Sequence, residues 1–203
     1  TFFMGKIIAI CNQKGGTGKT TTAINLASSL ALAGKRVLLV DIDPQGNSTS
    51  GLGINKHSLK TSVYHLLLNH SPLNEIVQTT AVNNLELIPS NIELTGAEIE
   101  MVGMVAREIQ LRQALQQVKQ NYDFILIDAP PSLGLLTLNS LVAADSVLIP
   151  IQCEFYALEG VSQLLKTINL IKQALNQKLE IEGVLLTMAD FRTNLTNEVI
   201  NEV

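Results

Sequence analysis

Residues 13–20, with the sequence QKGGTGKT, place three glycines, two lysines and two threonines in one short stretch. Glycine allows a backbone to turn so that several N–H groups point at one anion. The apolar run before this stretch, residues 7–11, is typical of a buried strand, and residues 21–32 after it have the pattern of a helix. A strand, a glycine loop and a helix N-terminus in this order predict a site for the phosphate groups of a nucleotide.

The residue types in the loop indicate how a phosphate chain is held. Lys19 is expected to neutralise the β- and γ-phosphates, as a nucleotide-binding and catalytic residue, and the Thr20 hydroxyl is expected to ligate Mg²⁺. The predicted nucleotide-binding residues of the loop and the helix start are Lys14, Gly15, Gly16, Thr17, Gly18, Lys19, Thr20 and Thr21.

Lys14 is the unusual feature of this loop. The standard P-loop pattern has a glycine five residues before Gly18, whereas this chain has Gln13 there, followed by Lys14. Because Lys19 already serves the phosphates of its own loop, Lys14 has two interpretations. It is either a solvated loop lysine or a side chain directed at a phosphate that another subunit holds.

The apolar pattern of the chain predicts the elements that position this loop. Residues 37–40 and 124–127 are apolar throughout, as expected of strands buried on both faces of a parallel sheet. The predicted strands cover residues 6–11, 36–40, 85–88, 122–127, 146–151 and 181–187, and the predicted helices cover residues 20–33, 62–68, 97–120, 135–143 and 158–176. This alternation predicts an α/β doubly wound fold, with a mostly parallel twisted sheet and helices on both faces. Residues 47–60, rich in Gly, Ser and Thr, are expected to form a mobile surface segment.

The composition predicts a compact protein with a single domain over residues 1–203. Hydrophobic residues make up 46% of the chain and charged residues 16%, and the apolar runs are too short for a transmembrane helix. The net charge of −4 does not indicate a generally basic nucleic-acid-binding surface, so such a function would need a local patch. Cys11 and Cys153 are expected to be reduced thiols, which favours a cytoplasmic location.

Acidic residues follow two of the predicted strands. Asp128 closes residues 124–127, which is a Walker B pattern, and it is expected to hold Mg²⁺ through a water molecule. Asp41 and Asp43 follow residues 37–40, and loops after parallel strands meet at one edge of a sheet. One of Asp41 and Asp43 could approach Mg²⁺ while the other faces the γ-phosphate, and Asp41 either supports that site or is a structural carboxylate.

Several segments together resemble one known family. Residues 14–20 are similar to the deviant Walker A motif of the ParA/MinD ATPases, which are P-loop NTPases. Residues 40–47 resemble the switch I segment of the ParA group, and residues 128–134 its switch II. Residues 150–160 and 183–188 resemble the Soj branch of the chromosomal ParA proteins. The resemblance covers nearly the whole chain.

The resemblance implies an ATPase switch that uses ATP and Mg²⁺. In this family the first lysine of the loop acts across a dimer interface, which assigns Lys14 to the phosphate of the partner. Asp43 takes the role of positioning or activating the attacking water. The family dimerises face to face with ATP, hydrolyses it slowly, and is stimulated by a ParB-type partner protein in chromosome or plasmid partitioning.

The resemblance also implies contacts outside the loop. The ATP dimer of the family binds double-stranded DNA without sequence specificity in the cytoplasm, at the nucleoid, and Arg192 matches a position in its basic DNA-facing region. Lysines that could add to this region are Lys166, Lys172 and Lys178. Met188 falls where a strand end borders the adenine. Family members continue for some tens of residues past the position of Val203, so this chain is expected to lack the C-terminal segment of the family.

Three other classes of protein were weighed against this interpretation. A MinD-like positioning ATPase that associates with membranes shares the loop but requires a C-terminal amphipathic helix, and residues 43–47 favour the Soj branch instead. A nitrogenase-type iron protein requires cysteines between two subunits, and Cys11 and Cys153 lie in the wrong segments. An ATP-gated scaffold for a different cargo remains an alternative, because the cargo is chosen by partner surfaces.

Overall fold

The computed structural model describes residues 5–153, 157–190 and 192, and this part of the chain forms seven strands and eight α-helices. The strands are β1 (Lys6–Ile10), β2 (Val37–Asp41), β3 (Gln78–Thr79), β4 (Leu85–Ile88), β5 (Phe124–Asp128), β6 (Ser146–Gln152) and β7 (Glu180–Thr187). The helices are α1 (Lys19–Leu32), α2 (Asn47–Gly51), α3 (Val63–Leu67), α4 (Leu73–Ile76), α5 (Leu94–Glu100), α6 (Gln110–Gln116), α7 (Leu135–Ala143) and α8 (Ala157–Ala174).

The strands form one sheet in the order β3-β4-β2-β5-β1-β6-β7. All neighbouring pairs are parallel except the edge pair of β3 and β4. The register pairs Ile10 with Asp128 and Asp41 with Asp128, so β1, β2 and β5 end side by side. The loops that follow these three strands therefore meet at one edge of the sheet, as the sequence predicts.

Two apolar layers enclose the sheet. Along β1, Ile7 and Ala9 belong to one layer, and Ile8 and Ile10 belong to the other, because successive side chains of a strand point to opposite faces. The second layer is covered by α1, whose buried small residues are Ala23, Ala27 and Ala31. Their four-residue spacing gives α1 a flat face that can approach the sheet closely. The doubly wound α/β fold is thus confirmed.

Two sequence expectations are wrong. The helix predicted over residues 97–120 is instead α5, two short 3-10 turns and α6, with a backbone reversal at Ala106, which has a φ of 55°. Asn139 explains this break: it donates a hydrogen bond to the carbonyl of Arg107 and accepts one from the N–H of Leu111, which ties the broken segment to α7. The second expectation, a surface segment over residues 47–60, is wrong only for Ser48 and Thr49 of α2, which are completely buried, whereas the other residues of this range are exposed or half-buried.

Across residues 5–153, 157–190 and 192, every helix is too short or too polar to traverse a lipid bilayer.

Candidate nucleotide-binding site

Asn12 fixes the base of the glycine loop immediately after β1. Its side-chain N–H group donates to the carbonyl of Pro150 at 2.7 Å, and its side-chain oxygen accepts from the N–H of Lys14 at 3.0 Å. The preceding Cys11 is buried, and its N–H donates to the carbonyl of Leu148. Burial raises the pKa of the Cys11 thiol to about 12. The loop therefore leaves the sheet from a base that is anchored to β6.

The glycines give the loop the backbone of an anion site. Gly16 has a φ of 78° and Gly18 a φ of 83°, which are left-handed values that glycine adopts without strain. A Cβ atom on Gly15 or Gly16 would meet nothing within 4 Å, so the space beside the loop is open. Helix α1 begins at Lys19, directly after Gly18, and the first N–H groups of a helix lack partners within it. These donors and the helix dipole favour a phosphate group at this position.

Lys19 is the buried cation of the site. The residue is only 6% exposed, and its ammonium group donates to the carbonyl of Lys14 at 2.9 Å. Burial lowers its pKa, while the negative charges of Asp128 and Asp43 oppose this effect. Lys19 therefore lies within electrostatic reach of both predicted carboxylates, and a bound phosphate could take the place of the Lys14 carbonyl.

The main chain of Lys14 is held on both sides. Its N–H donates to Asn12, and its carbonyl accepts from Lys19 and, at 3.4 Å, from the hydroxyl of Thr17. The residue is half-buried. The structure of one chain thus fixes the Lys14 backbone within the loop, and its role toward a second subunit stays a prediction.

Asp128 has the features of a carboxylate that supports a metal ion. Ser48 donates to its Oδ2 at 2.7 Å, and the hydroxyl of Thr20 also forms a hydrogen bond with it. Its Oδ1 is buried and has no hydrogen-bond partner in the described part of the chain. Burial raises the pKa of Asp128 to about 6. Since a buried carboxylate oxygen is costly without a partner, the orphaned Oδ1 fits a water ligand of Mg²⁺.

Asp41 is a fully buried structural carboxylate. Its Oδ2 accepts from the N–H and the hydroxyl of Thr49, at 2.8 and 2.7 Å, and its Oδ1 accepts from the N–H of Asp43 at 3.2 Å. Burial, and secondarily the charge of Asp128, raise its pKa to about 7. Of the two interpretations open from the sequence, these contacts favour a carboxylate that holds the switch segment in place.

Asp43 lies between the glycine loop and α2. Its Oδ1 accepts from the N–H of Gln45 at 2.9 Å, and its charge is one of the influences on the pKa of both Lys19 and Asp128. Asp43 is only 8% exposed. The structure thus brings Lys19, Thr20, Asp43 and Asp128 together at the edge where β1, β2 and β5 end.

In the described part of the chain, the predicted residues near β7 are held to the glycine loop by fewer contacts than those after β1, β2 and β5. The hydroxyl of Thr187 donates to the carbonyl of Thr17 at 2.9 Å and joins β7 to the loop, but the next residue, Met188, is 61% exposed with a φ of 52°. Thr21 is exposed in the first turn of α1. Arg192 is exposed and forms an ion pair with Asp190 at 2.7 Å.

Sequence reasoning missed several polar residues that shape the site, namely Asn12, Ser48, Thr49, Ser90 and Thr187. One signal was present in the sequence. Ser48 and Thr49 follow Gly46 after a strand that ends in an acidic residue, and two adjacent hydroxyls there can serve two carboxylates. Ser90 gave no comparable signal, because its partners lie more than 40 positions away in the chain.

The fold and this arrangement define a P-loop nucleotide-binding protein of the α/β class. Residues 5–181 match a family model described as an AAA domain. The chain is 62% identical to the sporulation initiation inhibitor protein Soj of Bacillus subtilis, an alignment that covers 98% of this chain and 79% of that protein. It is 58% identical to the chromosome partitioning protein ParA of Myxococcus xanthus, in an alignment that covers 98% of this chain and 71% of that protein. The chain therefore belongs to the ParA/Soj family of chromosome-partitioning ATPases.

Solved structures share this fold. A Mycobacterium smegmatis protein named cobyrinic acid a,c-diamide synthase, with bound ADP and magnesium, is 41% identical, with a TM-score of 0.94 over 98% of this chain and 81% of its own. The same protein also binds an ATP analogue with magnesium. A plasmid partition protein from Borrelia burgdorferi is 31% identical, with a TM-score of 0.84 over 98% and 84% of the two chains.

Proposed function

We propose that this protein is an ATP-driven switch for DNA partitioning: ATP joins two copies, the dimer binds DNA without sequence specificity, and hydrolysis separates them. The hydrolysis is slow until a ParB-type partner protein stimulates it. The observation that carries the proposal is the convergence of Lys19, Asp43 and Asp128 beside a glycine loop whose flanking space is open. This is the set of charges that phosphoryl transfer to water requires.

Each residue of the site has a distinct part in the proposed reaction. The backbone of residues 15–20 and the ammonium of Lys19 hold the phosphates, with Lys19 released from the carbonyl of Lys14. The Thr20 hydroxyl and Asp128 would hold Mg²⁺, which when bound neutralises charge on the phosphates. Asp43 is proposed to orient the attacking water from the switch segment and would also help to hold Mg²⁺.

Lys14 is proposed to complete the site of a second copy. Its backbone is fixed through Asn12 and Lys19, so its position relative to the loop is defined before a partner arrives. A cation brought to the phosphates from another chain stabilises charge in the transition state, as arginine fingers do, with effects of roughly 10³–10⁵ on the rate. Nucleotide binding, dimerisation and hydrolysis would thereby depend on one another.

The DNA contacts are proposed to come from the same end of the chain as β7. Arg192 and the exposed lysines of this region would contact phosphates without reading bases, as expected for non-specific binding. Because a dimer presents two such patches, its second contact gains from the effective concentration that the first provides. The proposed setting is the nucleoid in the cytoplasm, and Met188 is proposed to border the adenine.

The central test is the size and DNA binding of the protein with ADP, with ATP and without nucleotide. We expect a dimer that binds DNA only with ATP. Asp43→Ala should accumulate this dimer and fail to turn over, whereas Lys14→Ala should stay monomeric. Lys35→Ala, an exposed lysine after α1, is the matched control and should behave as the wild type.

Three outcomes would contradict parts of the proposal. An ATP-dependent dimer of Lys14→Ala would remove the cross-subunit role of Lys14, and normal turnover by Asp43→Ala would remove Asp43 from hydrolysis. Sedimentation of the ATP form with liposomes, but not with DNA, would favour the MinD-like alternative. Dimerisation without binding to either would favour a scaffold for another cargo.

A further inference from the structure

A closed ring of hydrogen bonds holds the segment that carries Asp43. Asp41 accepts from the N–H of Asp43 and from the hydroxyl of Thr49. That hydroxyl accepts in turn from the N–H of Ser90, at 2.9 Å. The Ser90 hydroxyl donates to the carbonyl of Asp43 at 2.7 Å, which closes the ring.

The ring is buried, so its hydrogen bonds cannot be exchanged for bonds to water. Asp41, Thr49 and Ser90 are completely inaccessible to solvent. Without competing water, a hydrogen bond that is lost inside the ring cannot be replaced, and the abandoned partner is left unsatisfied. Both the N–H and the carbonyl of Asp43 are members, so the ring fixes the main chain on either side of its Cα.

Ser90 brings a fourth strand end, that of β4, to the site. It follows β4, the neighbour of β2 on the side away from β5, and no phosphate-binding residue lies there among the described residues. Gly46 shows how tightly this strand end approaches: a Cβ atom on Gly46 would lie 2.6 Å from the carbonyl oxygen of Ser90. The switch segment is therefore held between Asp41 on one side and Ser90 on the other.

We propose that Thr49 and Ser90 are positioning residues for ATP hydrolysis, which hold the backbone of Asp43 so that its carboxylate meets the attacking water in one orientation. This inference rests on the proposed role of Asp43. Neither hydroxyl contacts the phosphate loop, so the pair should matter for the rate of hydrolysis rather than for nucleotide affinity. A displacement near 1 Å at a reacting group can lower a rate about 100-fold.

The experiment compares Ser90→Ala and Thr49→Val with Thr49→Ser, which keeps the hydroxyl, and with Ser140→Ala. Ser140 is a matched control, because it is also buried and its hydroxyl also donates to one carbonyl, that of Leu136 in α7. For each variant we would measure affinity for ATP with Mg²⁺, turnover at saturating ATP, and hydrogen exchange of the peptide spanning residues 41–52.

We expect Ser90→Ala and Thr49→Val to lose about 10-fold or more in turnover, with ATP affinity within about twofold of the wild type. Exchange in residues 41–52 should become faster in both, and Thr49→Ser should restore turnover and protection. Ser140→Ala should leave all three measurements unchanged. Wild-type turnover in Ser90→Ala, or an equal loss of affinity and turnover, would overturn the inference.

An error in the proposed role of Asp43 would give a different result from an error in the roles of Thr49 and Ser90. If Asp43→Ala hydrolyses ATP normally, the role of Asp43 is wrong whatever the ring does. The exchange measurement needs no nucleotide, so it reports separately whether Ser90 and Thr49 hold the segment. Unchanged exchange in both variants would overturn the positioning itself.

Discussion

The carboxyl ends of β1, β2 and β5 and the carboxyl end of β7 lie at the same edge of one sheet, but they are held very differently. In the first region, Asp41 and Asp128 are buried and bonded to the hydroxyls of Thr49 and Ser48. In the second region, hydrophobic side chains are exposed, with Leu185 near the end of β7 at 40% and Met188, just after the strand, at 61%. The described link between the two regions at the loop is the hydrogen bond from Thr187 to Thr17.

This difference separates what one chain can organise from what it leaves to other molecules. The central strands fix a phosphate site through their own hydrogen bonds, so it is preorganised before ligand arrives. Met188 and Arg192, at the other region, are exposed and are expected to act only against adenine and DNA. Substitutions should therefore have large effects in the first region and small ones in the second.

The largest effect is expected for Lys19→Ala. The variant removes the buried cation of the loop, and we expect ATP affinity to fall by about 100-fold or more, which corresponds to about 3 kcal/mol. Fluorescent nucleotide titration measures this loss, and circular dichroism checks that the variant is folded. An unchanged affinity for ATP would refute the phosphate role of Lys19.

Asp128→Asn is expected to stabilise the nucleotide-free protein at high pH. The folded state raises the pKa of Asp128 from 3.8 to about 6, so folding favours its protonated form. This stabilisation is complete below the unfolded pKa and is lost as the pH rises through about 6. A shift of this size corresponds to about 3 kcal/mol.

Urea unfolding without Mg²⁺ between pH 4 and pH 8 measures this prediction, because the Asp128 contribution is lost between pH 3.8 and about 6. The wild type should become less stable over this range, and Asp128→Asn should show a flatter profile, with Asp41 accounting for the slope that remains. The same variant should bind ATP with a weaker dependence on Mg²⁺. Identical pH profiles would show that Asp128 is not the strained carboxylate.

Thr187→Val tests the link between the two regions. It removes the hydrogen bond to the carbonyl of Thr17 and keeps the shape of the side chain, so we expect a loss of about 1 kcal/mol in stability and about a fivefold loss in ATP affinity. Thr167→Val is the control, because the Thr167 hydroxyl bonds only within α8 to the carbonyl of Gln163. Equal effects of the two variants would mean that the bond from β7 does not support the loop.

The smallest effect is expected for Arg192→Ala. Removing one phosphate contact should weaken DNA binding only a few fold and reduce the slope of log affinity against log salt by about 0.9 per contact. Asp190→Asn should shift affinity in the opposite direction, because Arg192 loses its ion-pair partner. DNA titrations at several salt concentrations measure both, and an unchanged salt slope in Arg192→Ala would exclude it from the interface.

The sequence predicted the parts of this molecule that depend on local pattern. The buried strands and the glycine loop are visible because apolar runs and glycines have direct local consequences, and Asp128 is visible because it ends such a run. The break at Ala106 and the burial of Thr49 and Ser90 were missed, because both depend on partners distant in the chain. The single domain over residues 1–203, the role of Lys14 and the contacts of Met188 and Arg192 stay predictions.

Cys11 is buried directly after β1, so its chemical labelling can report movement of the glycine loop. Burial raises the pKa of its thiol and also closes the side chain off from solvent, and both effects slow its reaction with alkylating reagents. An alkylating reagent should therefore modify the half-buried Cys153 first. The slower rate at which Cys11 is labelled would then report how often the structure behind the loop opens. A decrease of that rate with ATP would measure how much the nucleotide suppresses the opening.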